Sequence, residues 1–84
     1  MKFIYSNHSL EQISRRGLDK AIIEDILLNP EQVLEHNGMK IFQAVVPFVN
    51  EGNYLIRVFV NTEKEPNVII TVYKTSKIKK YHES

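Results

Sequence analysis

The chain has no cysteine among its 84 residues, which excludes a disulfide framework and any thiolate metal site and permits a reducing compartment. It has only three glycines. None falls in a GxGxxG or GxxxxGK arrangement, so the glycine-rich phosphate loops are excluded. Its three histidines are scattered and no HExxH occurs, leaving no zinc-ligand spacing. No GxSxG elbow is present to expose a serine nucleophile. No apolar run approaches the ~20 residues a membrane span needs. The opening Met1-Lys2-Phe3-Ile4-Tyr5 gives way at once to Ser6-Asn7-His8, so no secretory leader is expected. Together these absences predict a soluble, cytoplasmic chain without a metal or cofactor and without a membrane partner.

What is present is ordinary for one small globular domain spanning residues 1–84: 43% hydrophobic and 25% charged residues. A chain of this size buries ~60–65% of its unfolded surface, which makes it marginally stable alone. The net charge of +1 hides an asymmetry. From Lys74 onward four lysines face one glutamate, a net +3, whereas the preceding 73 residues carry seven basic and nine acidic side chains, a net −2. A basic tail on a slightly acidic body points to a polyanion, although frayed, solvated termini often look the same.

The pattern along the chain alternates early helices with later strands. Residues 2–5 read as a short strand. Ser6 or Asn7 suits an N-cap for a helix running to about Arg16, and Gly17 suits the left-handed position past its end. Asp19 caps a second helix, with Leu18 stapled to Ile23 and an apolar stripe of Ile22, Ile23, Ile26 and Leu27. Asn29-Pro30 stops it. Val33–His36 and Lys40–Val46 flank the tight-turn dipeptide Asn37-Gly38, with Pro47 ending the second strand. Asn50–Asn53 is a turn, Tyr54–Val60 a strand, Asn61–Asn67 a polar loop and Val68–Tyr73 the last strand. The order β-α-α-β-β-β-β predicts an α+β domain, two helices packed on one face of a twisted antiparallel sheet.

Strand alternation then assigns faces. It puts Ile56, Val58 and Val60 with Val68, Ile70 and Val72 against the helices. Arg57, Phe59, Thr71 and Tyr73 are left on the open face. In the first helix His8, Gln12 and Arg16 fall four apart, on one polar stripe. An imidazole, an amide and a cation on one ridge could handle a phosphate or a proton. They could equally be a wet helix face. His36, beside a turn, and His82, in the tail, read as solvated side chains.

The run His8-Ser9…Gln12…Arg16-Gly17-Leu18, then Ile26…Asn29-Pro30, then Val68-Ile69-Ile70-Thr71-Val72-Tyr73-Lys74, resembles a small bacterial family catalogued as a domain of unknown function. Its usual pattern is H-A-x-x-R-x-x-x-R-G-I near the start and an I-T-V-Y-type last strand. That family is grouped with the barnase/EndoU/colicin/RelE-like ribonucleases, which include RelE- and BrnT-like toxins. The resemblance implies a RelE-like fold, metal-independent cleavage of RNA, and a cognate antitoxin protein as partner. It carries catalytic roles onto His8, Arg16, Thr71 and Tyr73; beside them, Gln12, Arg15, Arg57 and Lys74 are by type and position the side chains expected to bind the substrate. The family's first helix arginine is Gln12 here, so a binding-only module for RNA or protein is the alternative expectation.

Overall fold

A computed structural model describes residues 2–82. In chain order the elements are β1 (Phe3–Tyr5), α1 (Asn7–Arg15), α2 (Lys20–Leu28), β2 (Gln32–His36), β3 (Met39–Phe48), β4 (Gly52–Asn61), β5 (Asn67–Thr75) and α3 (Ile78–Tyr81). The five strands form one sheet in the order β1-β5-β4-β3-β2. Strands β2 to β5 are an antiparallel meander, as expected. The sheet is nevertheless mixed, because β1 adds to β5 in parallel at Asn67–Ile69.

Local chemistry explains the helices. Ser6 caps α1, its side chain accepting from the Ser9 amide while its hydroxyl donates to the Ile70 carbonyl at 2.9 Å. One serine therefore starts the helix and ties it to β5. The end of α1 is a Schellman motif: the Leu18 amide reaches the Ile13 carbonyl at 2.9 Å and the Gly17 amide reaches Ser14, with Gly17 at φ +62°. Ile13 and Leu18 are both buried there, giving the motif its apolar contact. Asp19 caps α2 through the Ala21 amide, as its position predicts. No helix among the described residues is long and apolar enough to cross a membrane.

The core lies between the helices and one face of the sheet. Ile23, Ile26 and Leu27 of α2 and Ile13 of α1 meet Phe42, Ala44, Ile56, Val58, Val60, Ile69 and Val72. Against β3 and β4 lies α2, whereas α1 lies along β5, beyond the point where β1 stops.

Three expectations need correction. The last strand does not keep one alternation throughout. Phe59 pairs with Thr71 but Val60 pairs with Ile69, leaving Ile70 as the extra residue of a bulge. Ile69, not Ile70, therefore enters the core, fully buried. Pro47 does not end β3, which continues to Phe48, with Pro47 exposed opposite Asn53. The basic tail is not frayed through residue 82. It folds into α3, where the buried Gln43 side chain donates to the Tyr81 carbonyl at 3.0 Å, and His82 Nε2 meets Glu31 at 3.1 Å.

Candidate functional site

Cross-strand register sets residues of the second sheet face in rows. Gln32, Gln43, Arg57 and Tyr73 form one row, and Leu34, Ile41, Phe59 and Thr71 form the next. The first row is unusual in a sheet centre because it is wholly polar or phenolic. Its anchor is Gln43, fully buried. The Gln43 amide nitrogen donates to Gln32 Oε1 at 2.7 Å as well as to Tyr81, and its oxygen accepts from Arg57 Nε at 2.9 Å. Every buried side-chain polar atom among the described residues has a partner, as a polar group out of water requires.

The Gln43 bond fixes Arg57 through Nε and leaves the two terminal nitrogens of its fork without a hydrogen bond among the described residues. Two aromatic rings flank the group, with the Tyr81 ring centre 4.5 Å and the Phe59 ring centre 5.3 Å from the guanidinium carbon. Tyr81 in turn meets Tyr73 edge to face at 6.0 Å. From the far side, Arg16 lies 5.2 Å over the Tyr73 ring. Arg16 comes from the C-cap of α1 and can reach the sheet because α1 runs along β5. Gln12 accepts from Arg16 Nε at 2.8 Å and aims it there. The outcome is a line of cations and rings: Arg16, the Tyr73–Tyr81 pair, Arg57 and Phe59.

Electrostatics follow the geometry. Partial burial draws the Arg57 guanidinium down from its ordinary value, and the Tyr81 and Tyr73 phenols oppose that pull. Partial desolvation alone would raise the Tyr81 phenol. Its hydrogen bond with Tyr73, the Lys80 ammonium and the Arg57 charge outweigh this, and Tyr81 stands below its ordinary value. Beside the Arg57 guanidinium this phenol gives up its proton more readily, and its phenolate can take a proton from a hydroxyl. The free fork of Arg57 can hold a phosphate.

The site residues expected from the sequence divide cleanly. Gln12, Arg16, Arg57 and Tyr73 are brought together. Thr71 shares the face, opposite Phe59 and one row away. Arg15 is exposed on α1. His8, in the first turn of α1, is exposed and makes no hydrogen bond with the described residues. Lys74 points to the helix-covered side, opposite Ile56. There it lies 4.1 Å from the Phe48 ring centre and 4.5 Å from that of Tyr54, and pairs with Glu51 at 3.4 Å. Sequence reasoning missed Gln43 and Tyr81. The signals were a lone polar residue within Ile41–Val46, and Ile78 and Tyr81 spaced as one turn of an amphipathic helix.

A family described as Domain of unknown function (DUF4258) matches residues 5–74. The chain belongs to that family. The DUF4258 match includes Gln12, Arg16, Gln43, Arg57, Phe59 and Tyr73, while Tyr81 and the rest of α3 lie beyond it. No curated protein and no solved structure matches the chain.

Proposed function

We propose that this chain is a metal-independent endoribonuclease, the toxin of a toxin–antitoxin pair, and that RNA lies across the second sheet face. The observation that carries the reading is the line from Arg16 through Tyr73 and Tyr81 to Arg57. Guanidinium groups interspersed with rings suit single-stranded RNA, whose phosphates need cations and whose bases stack on aromatic faces. The helix and last-strand motifs resemble a family grouped with RelE- and BrnT-like toxins, and that resemblance supports the same class.

In this reading the Tyr81 phenolate accepts the proton of a ribose 2′-hydroxyl. The oxygen attacks the adjacent phosphorus, the bond from phosphorus to the 5′-oxygen breaks, and the leaving oxygen takes a proton from the Tyr73 phenol. A 2′,3′-cyclic phosphate and a 5′-hydroxyl result. Arg57 and Arg16 stabilise the extra negative charge on the phosphoryl oxygens as it develops. Gln12 positions Arg16, and Gln43 positions Arg57. His8, exposed and without a hydrogen bond to the described residues, is assigned no role in these steps. The cognate antitoxin would block the reaction by covering this face.

The test is cleavage of single-stranded RNA by the purified chain in EDTA, free and with ribosomes. Wild type should give cyclic-phosphate ends. Tyr81→Phe and Arg57→Ala should each lose about 10²-fold or more in rate, and His8→Ala should retain activity. Full activity in Arg57→Ala would overturn the assignment. The second reading, a binding module, is favoured by Gln12 standing where the resembled family has a cation. It predicts RNA binding that weakens steeply with salt, no cleavage, and no growth arrest on expression.

A further inference from the structure

Beyond the cation–ring line the same face continues into a groove of about 520 Å³. Leu34, Ile41 and Phe59 form its floor as a single cross-strand row. Arg57 and Tyr81 line it on one side of that row, and His36 on the other. His36 follows Leu34 by two positions along β2, so its side chain falls on the same face, one row further on. Successive rows stand about 7 Å apart along a strand. The order across the face is therefore cation, flat apolar floor, imidazole.

We infer that this groove is a seat for one nucleobase, so that the chain binds a nucleoside monophosphate unit and not a bare phosphate. The inference rests on the RNA reading above and adds to it a base-binding subsite. A nucleotide presents the same order as the groove: an anion, then a flat ring, then a polar ring edge. The terminal nitrogens of Arg57 take the phosphate. Leu34, Ile41 and Phe59 receive the face of the base, and Tyr81 walls the phosphate end. The cation fixes the direction, since Arg57 holds the phosphate at its own end and leaves the His36 end to the base. His36 meets the base edge there. Its Nε2 lies 3.3 Å from the Asn37 amide nitrogen. That amide can only donate, so Nε2 accepts and the proton of the neutral ring sits on Nδ1. Nδ1–H is then a donor for a ring nitrogen or carbonyl of the base.

The experiment titrates the full chain, labelled for amide NMR, with the four nucleoside 3′-monophosphates, ribose phosphate and inorganic phosphate. At least one nucleotide should bind about tenfold or more tightly than ribose phosphate, the contribution expected of one stacked base. The shifted amides should include Leu34, His36, Ile41 and Phe59. Phe59→Leu keeps bulk without the ring face, and His36→Ala removes the edge donor. Each should shrink the nucleotide-to-ribose-phosphate ratio. Equal binding of nucleotide and ribose phosphate, no nucleotide binding, or shifts confined to another surface would each overturn the inference. Its fate is separable from that of the nuclease. Cleavage without nucleotide preference removes the base seat alone. Nucleotide binding in the groove without cleavage keeps the seat and removes the nuclease.

Discussion

Ile56 and Arg57 are neighbours in β4, and they belong to two differently built surfaces. Ile56 faces the helices with Val58 and Val60, in a layer of aliphatic side chains held by volume and exclusion of water. Arg57 faces the other way, into a layer held by directed bonds: Gln43 to Gln32, to Arg57 and to the Tyr81 carbonyl. The helix side needs shape alone and would tolerate many aliphatic combinations of the same volume. The second side needs particular atoms at particular places. A sheet stable on one face is free to hold reactive groups on the other. The difference teaches where to look for function.

The largest effect that separates the two surfaces is on stability. Ile56→Ala should lose roughly 2–5 kcal/mol, a large part of the ~5–15 kcal/mol available to a domain. Arg57→Ala, one residue away, should lose about 1 kcal/mol, because its charge is partly in water and its one hydrogen bond is modest in net terms. Urea denaturation of the two variants measures both. Equal losses would mean that the second face is a structural core and would break the contrast.

Next in size is Gln43→Leu, which keeps volume and removes the bonds. It strands Arg57 Nε and the Tyr81 carbonyl, at a cost of about 1–3 kcal/mol. It also removes the hydrogen bond that ties the α3 backbone to the sheet. Amide exchange at His82, which bonds to Ile78 within α3, should quicken, while amides of Ile56 and Val58 keep their protection. Unchanged exchange at His82 would show that the rings and the His82–Glu31 pair suffice to dock α3.

The helix side was legible in the sequence and the second side only in part, for a physical reason. Gly17, Asp19 and Asn37-Gly38 each carry a local conformational demand that their neighbours satisfy, so they announce their turns. The alternation of β4 likewise gave its two faces correctly. In β5 the switch at Ile70 was hidden because Ile69 and Ile70 are both aliphatic, and either could fill the core until the register decided. Arg57 and Tyr73 were legible as a pair from alternation. Tyr81 was not, because a tail with four lysines reads as solvent-facing. What brings it back is Gln43, thirty-eight positions earlier, and no local pattern records a tie of that span. Lys74 failed in another way. Its type suited a phosphate, but Glu51 and two rings on the opposite face had already claimed it.

The smallest effect sharpens the contrast within one residue type. Tyr5, on β1, is raised from its ordinary value of 10.0, by burial first and then by the charge and hydrogen bond of Glu24. Tyr81 is lowered from the same value, since the Tyr73 bond, Lys80 and Arg57 outweigh desolvation. An ultraviolet titration should therefore show one phenol ionising early and one late. Tyr81→Phe should delete the early phase, and Tyr5→Phe the late one. Arg57→Ala should move the early phase upward, because it removes a cation that stabilises the phenolate. The linkage signs are opposite. Tyr81, depressed on folding, contributes stability above pH 10, and this is lost as pH falls through its folded value. Tyr5, elevated on folding, contributes stability present below pH 10, which is lost as pH rises through its raised value. A single phase at the ordinary value, insensitive to Arg57→Ala, would mean that the guanidinium does not act on the Tyr81 oxygen. The proton transfer assigned to Tyr81 would then lose its electrostatic basis.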